Sequence, residues 1–185
     1  DSINGENIIY PTTLEEIENW IKIYPNPSGA YEAAQIIAEN FVDYLIKEKD
    51  ITEKTLFNIV KKVNNKVWKI NEDREINYIE NDLYCAVATG GIILENYLIC
   101  FSIGDCHIKV LNERYEQIFE TENNHSNFEK YEKEVLTKYN FDWTNPKDRI
   151  LVRAAFRNNP IIKDKAFGVL SGEKAAMEFV KIYKV

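Results

Sequence analysis

Arg153 and Arg157 carry the side chain best suited to a phosphate group, a planar guanidinium fork that can hold it bidentately. Their plain alternative is surface ion pairing. Asp105 follows Gly104 inside the dense apolar run 83–110. There the glycine supplies an unusual backbone dihedral and the aspartate hydrogen-bonds turn amides. A direct hold on a metal ion is the sharper alternative for Asp105. The cysteines are Cys85, Cys100 and Cys106, and the imidazoles are His107 and His125. Cys106 and His107 are neighbours on a strand, so they point to opposite faces and make no nucleophile–base pair. An odd cysteine count without a Cys-x-x-Cys pair speaks against a disulfide framework or a zinc site. The thiols read as small buried hydrophobes in a reducing compartment, which points to the cytoplasm. Glu72, Asp73 and Glu75 read as a charged loop, and the acids of 142–148 as surface. Trp20, Trp68 and Trp143 read as core or interface packing.

The elements that must position these groups follow from caps, breakers and periodicity. Residues 1–10 predict a short strand with a turn at Asn4-Gly5. Thr12 and Thr13 before Leu14-Glu15-Glu16 predict a helix N-cap with acids in the first turn, and that helix ends before Pro25. Ser28 predicts the cap of a helix over 30–49, with Ala33, Ile36, Ile37, Asn40, Phe41, Tyr44 and Leu45 on one face. Thr52 predicts the cap of a second long helix over 52–71, striped by Leu56, Ile59, Val60, Val63 and Val67. The short connection at Asp50-Ile51 makes the two an antiparallel hairpin. The run 83–110 reads as two buried strands around a tight turn, then Gly104-Asp105 at the start of a third, continuing into 115–120. A loop over 121–127 precedes a helix over 128–139. Residues 150–156 are helix or strand. Arg157-Asn158-Asn159-Pro160 is a turn, 167–170 a short strand, 173–180 a short helix capped from its first turn by Glu173, and 182–185 the beginning of a strand.

The 185 residues fit one domain over 1–185. A formal net charge of −7 argues against a nucleic-acid surface, because phosphate backbones need clustered Lys and Arg. No apolar run approaches the length of a membrane-spanning helix, so no membrane partner is expected.

Several segments together resemble the protein phosphatase 2C family of metal-dependent Ser/Thr phosphatases. Asp1-Ser2 is similar to the end of that family's Asn-Glu/Gln-Asp-Ser motif, whose aspartate lies beside a metal pair. Ser28-Gly29-Ala30 with Ala33-Ala34 is similar to the opening of its first helix. The hairpin within 83–110 with Gly104-Asp105 is similar to its central hairpin and Gly-Asp-Ser step. Arg157-Asn158-Asn159-Pro160 and Phe167-Gly168-Val169-Leu170-Ser171-Gly172-Glu173 resemble a bacterial subgroup, in which an Asn-rich turn leads to Gly-Val-Leu-Thr-Gly-Glu. The resemblance implies an α+β fold: an αββα sandwich of two stacked antiparallel sheets flanked by antiparallel helix pairs. It implies Mg²⁺ or Mn²⁺ as cofactor, Asp1 as a metal neighbour, Gly104 and Asp105 as a structural motif near the site, and a phosphoprotein as substrate.

The chain departs from the family where the chemistry is densest. It contains no Asp-Gly step. In the family one such aspartate bridges both metals; here that region runs Ile8-Ile9-Tyr10-Pro11-Thr12. A later Asp-Gly and an Asp-Asn motif have no counterparts either. Two divalent ions need a bridging group and several oxygen ligands. A start in mid-motif and an end in mid-strand lead to the expectation of a truncated copy. Three functions stay open: a hydrolase of phosphoserine and phosphothreonine using metal-activated water; a non-catalytic pseudophosphatase that binds a protein partner; and an unrelated α+β domain.

Overall fold

A computed structural model of the chain describes residues 2–3, 6–7, 13–23, 28–76, 83–123, 125–142 and 145–185. Asp1, the Asn4-Gly5 turn, Thr12, Pro25 and Trp143 lie outside the described residues, as does the side chain of Trp20. The chain opens with a two-stranded antiparallel ribbon, β1 (Ser2–Ile3) and β2 (Glu6–Asn7). Next comes α1 (Leu14–Ile23). Thr13 and Glu16 close its first turn reciprocally: the Glu16 amide donates to Thr13 Oγ1 at 3.2 Å and the Thr13 amide to Glu16 Oε2 at 3.0 Å.

The long helices are α2 (Gly29–Leu45) and α3 (Glu53–Asp73), capped by Ser28 and Thr52 as expected. They pack together as a hairpin. α2 stops at Leu45, four residues before the expected end, and the chain leaves through Ile46 and a tight turn. Ile37 and Phe41 of α2 meet Leu56, Ile59, Val60, Val63 and Val67 of α3 in the main core.

That core closes on a three-stranded antiparallel sheet in the order β3 (Ala88–Leu94), β4 (Tyr97–Ile103), β7 (Lys181–Lys184). Ile99, Phe101 and Ile103 face the helices, and the Phe41 and Phe101 rings sit 5.1 Å apart. Cys100 and Ser102 alternate to the other face and are also fully buried. On that face lies the ribbon β5 (Lys109–Leu111) and β6 (Gln117–Glu120). Phe119 packs edge-on against Tyr183 at 5.4 Å, the Glu122 amide donates to Tyr183 Oη at 3.3 Å, and Lys181 pairs with Glu122. β4 is therefore covered on both faces, which is why its sequence does not alternate. β3 differs from the expectation of two buried strands: its Ile93 is 84 % exposed, because β3 is an edge of the sheet and this residue faces away from the helices.

A second, smaller core is built by α4 (Ser126–Tyr139) and α5 (Pro146–Phe156). Phe128, Val152 and Phe156 pack there with Phe167 and Val169. The sequence left 150–156 open between helix and strand. It is helix, and it starts earlier because Asn145 caps it through the Lys147 amide with Pro146 in the first turn. Two short 3₁₀ helices, Pro160–Ile162 and Lys174–Glu178, complete the chain. The fold is α+β, and every pairing between its named strands is antiparallel.

Candidate functional site

A cleft of about 400 Å³ lies between the second core and a third small cluster of Ala33, Ile76, Leu83 and Tyr84. Its walls come from the first turn of α2 at Ala30, the extended segment 83–87, Asp105, His125, Arg153 and Arg157 of α5, and Phe167 with Val169.

Each polar member has a local reason to be there. Arg153 and Arg157 stand one helical turn apart, so their side chains leave α5 on the same face. Arg157 caps that helix, its amide donating to the Arg153 carbonyl at 2.8 Å, and its side chain is buried. Gly29 lets α2 approach: a Cβ there would fall 1.4 Å from Cε1 of Tyr84, a fully buried ring. That close approach brings the α2 N-terminus, the positive end of its dipole, to the cleft wall. His125 precedes α4, and its amide donates to Asn123 Oδ1 at 2.8 Å. Its ring lies 5.4 Å from Phe128 and 5.2 Å from Phe167, and its Nδ1 is buried without a hydrogen-bond partner among the described residues.

Gly104 has φ +82, the left-handed conformation expected of it, and a Cβ there would come 2.2 Å from Val87 Cγ1. It therefore fixes both the turn after β4 and the cleft wall. Asp105 departs from expectation in two ways. The Gly-Asp step lies in the turn after β4, not at the start of a strand, since β5 begins at Lys109. Its carboxylate makes no hydrogen bond to turn amides among the described residues and stands exposed at the cleft. It also helps to raise the Cys106 thiol pKa, after the larger effect of burial.

A smaller hollow of about 300 Å³ shares His125, Arg153 and Phe167 and adds Glu129 and Glu132. Burial pushes the Glu132 carboxyl above its ordinary range, and Glu129 adds to the rise; His125 and Arg153 oppose it. Arg153 and the His125 ring thus stand near a carboxyl that holds its proton more tightly than usual.

The donor set among the described residues does not make up a site for a pair of Mg²⁺ or Mn²⁺ ions. Asp105 is the one carboxylate among the described residues of the cleft wall, and no group of three or more His, Cys, Asp or Glu fit to hold a metal occurs among the described residues. One carboxylate supplies neither a bridge nor six oxygen ligands. The polar groups of the wall are two guanidinium groups, an imidazole, the Asp105 carboxylate and a helix N-terminus, around a partly apolar pocket.

Of the residues singled out in the sequence, Asp105, Arg153 and Arg157 are brought together, with Gly104 beneath them. Glu72 and Asp73 fall in the last turn of α3, away from the cleft. Glu173 does not cap the helix after it, as no side-chain bond to that helix's amides forms. Its carboxylate accepts instead from Asn158 Nδ2 and Ser171 Oγ, both at 2.7 Å. Sequence reasoning missed His125 as a site residue and a set of buried asparagines behind the cleft. Asn71 Nδ2 donates to the carbonyls of Tyr84 and Ser171, both at 2.9 Å, and its Oδ1 accepts from the Tyr84 amide. Asn64 Oδ1 accepts from the Gly172 amide at 2.9 Å. The signal was present: both asparagines interrupt the apolar stripe of α3 at positions that face the core. Among the described residues no helix is long and apolar enough to cross a membrane. Compared with known proteins, the chain matches no family model, no curated protein and no solved structure.

Proposed function

We propose that this chain is a non-catalytic relative of the protein phosphatase 2C fold that binds a phosphoserine- or phosphothreonine-bearing protein partner without turning it over. The observation that carries the reading is the convergence of Arg153, Arg157, His125 and the α2 N-terminus on one cleft. A phosphoryl group suits that set, because it offers three acceptor oxygens and close to two negative charges. The apolar wall of Leu83, Val87, Phe167 and Val169 accommodates the carbon chain next to the phosphate. Hydrolysis by a metal pair is the competing function, and it is disfavoured because Asp105 is the one carboxylate of the cleft wall among the described residues.

Arg153 provides the test. It is half-buried, and Val152 and Phe156 of the same helix carry the core packing, so its truncation leaves the fold in place. Losing one charge-assisted contact is worth about 2 kcal/mol, so Arg153→Ala should weaken binding of a phosphoserine peptide by about thirtyfold. The unphosphorylated peptide should bind neither protein. Equal affinity of wild type and variant would refute the assignment of the cleft.

A further inference from the structure

We infer that Glu173 is a positioning residue for anion binding, acting through Arg157. This rests on the reading of the cleft as a phosphoryl site. Glu173 has no place in the cleft wall, yet its carboxylate is held by two short hydrogen bonds behind it. Its Oε2 accepts from Asn158 Nδ2 and from Ser171 Oγ, each at 2.7 Å, and lies 3.8 Å from Arg157 Nε.

The carboxylate is fixed from several directions. Asn158 takes a left-handed backbone at φ +48, and its Oδ1 accepts from the Val169 amide at 2.9 Å. The Glu173 amide donates to Ser171 Oγ at 3.3 Å, and its carbonyl accepts from Asn64 Nδ2 at 3.0 Å. α3, the turn after α5 and the 171–173 segment therefore all set where Glu173 sits. The Arg157 side chain is 7 % exposed and has a long stem with several rotamers. At 3.8 Å from Nε the Glu173 carboxylate is beyond hydrogen-bond reach, so it acts on the guanidinium by charge, favouring the rotamer that lines the cleft. Outer groups of this kind act by orienting the group that touches the ligand.

The sign of the effect separates this role from a bystander's. A carboxylate that merely sits near an anion site repels the anion, and neutralising it tightens binding. A carboxylate that orients the arginine has the opposite effect when neutralised. Glu173→Gln is the suitable change, because the amide oxygen still accepts from Ser171 and Asn158 while the charge is lost.

The probe is inorganic phosphate, titrated calorimetrically into the 185-residue protein without added metal. Wild type should bind, and Glu173→Gln should bind about tenfold more weakly at a temperature where thermal unfolding shows both proteins to be folded. Glu173→Asp, which keeps the charge one methylene further back, should fall between them. In an Arg157→Lys background, Glu173→Gln should have no further effect, since its route runs through the guanidinium fork. If Glu173→Gln does not fold, Glu173→Asp decides: weaker binding supports the inference, and equal or tighter binding overturns it. Wild-type binding with equal or tighter binding by Glu173→Gln overturns the positioning role alone. No phosphate binding by wild type overturns the phosphoryl cleft and this role with it.

Discussion

Arg157, which is buried, and Glu132, which is half-buried, show how differently two charges are handled in one region of the molecule. Arg157 faces Glu173 at 3.8 Å, an arrangement that keeps a buried cation compensated. Glu132 is held in a hollow where burial outweighs the help of His125 and Arg153, so its carboxyl titrates above its ordinary range. The consequence for stability has a definite sign. An acid whose pKa is raised on folding binds its proton more tightly in the native state, so its contribution favours folding at low pH. That contribution is lost as pH rises through the folded-state value. Glu132→Gln should therefore be more stable than wild type at neutral pH, with the difference vanishing below about pH 4, where the unfolded carboxyl is also protonated. Urea denaturation of both proteins at pH 7 and pH 3.5 measures it. A gain that persists at pH 3.5 would place its origin in packing and not in charge.

At this scale the sequence was informative about residue type and silent about convergence. The arginines could be read either as phosphate contacts, because a guanidinium is chemically suited to them, or as surface ion pairs. Nothing in the spacing of His125, Asp105 and Ala30 reveals that they share a wall, since they lie on different elements and meet only when those elements pack. Glu173 was read locally, as an acid in a first turn. The distant pairing with Asn158 and Ser171 won instead.

Among the elements, α3 does the most to hold the site. It packs on α2 and on β4 and β7, and its buried asparagines stitch the 83–87 and 171–173 segments to the core. The 83–87 segment lines the cleft, and neither segment belongs to a regular ladder; Ala86 and Leu170, just before 171–173, exchange one isolated pair of backbone bonds. Their remaining polar groups depend on side chains. Asn71→Ala would strand the Tyr84 amide and the Tyr84 and Ser171 carbonyls in the interior. At about 1–3 kcal/mol for each orphaned group, partly relieved by relaxation, the loss should be about 3–5 kcal/mol. Thermal or chemical unfolding measures it, and a cost under about 1 kcal/mol would mean that these bonds are replaced by water. Helices with clear caps were legible: Thr13, Ser28 and Thr52 each cap where expected. The start of α5 at Asn145-Pro146 was equally encoded but was hidden by the acids around it, which read as surface. The 3₁₀ turns and bridged segments of 157–178 escape periodicity, because their bonds are irregular and partly made by side chains.

For the molecule as a whole, the α+β class was legible because a helical hairpin and a strand hairpin were each continuous in the sequence. β4 reads as an unbroken apolar strand because the helix pair covers one face and the β5–β6 ribbon packs against the other. The candidate site was less legible because it lies on a seam between packed clusters, assembled from segments up to 139 residues apart, from Ala30 to Val169. That seam gives the account its central claim: the cleft binds a phosphoryl group by charge and hydrogen bonding, without metal chemistry. The most direct test is calorimetric titration of one phosphoserine peptide into the mass-verified protein, first with EDTA and then with Mn²⁺, assaying peptide dephosphorylation in the same samples. The account predicts binding of equal strength in both conditions, none for the unphosphorylated peptide, and no release of phosphate. Binding only with Mn²⁺, or Mn²⁺-dependent release of phosphate, would contradict it and establish a hydrolase in its place.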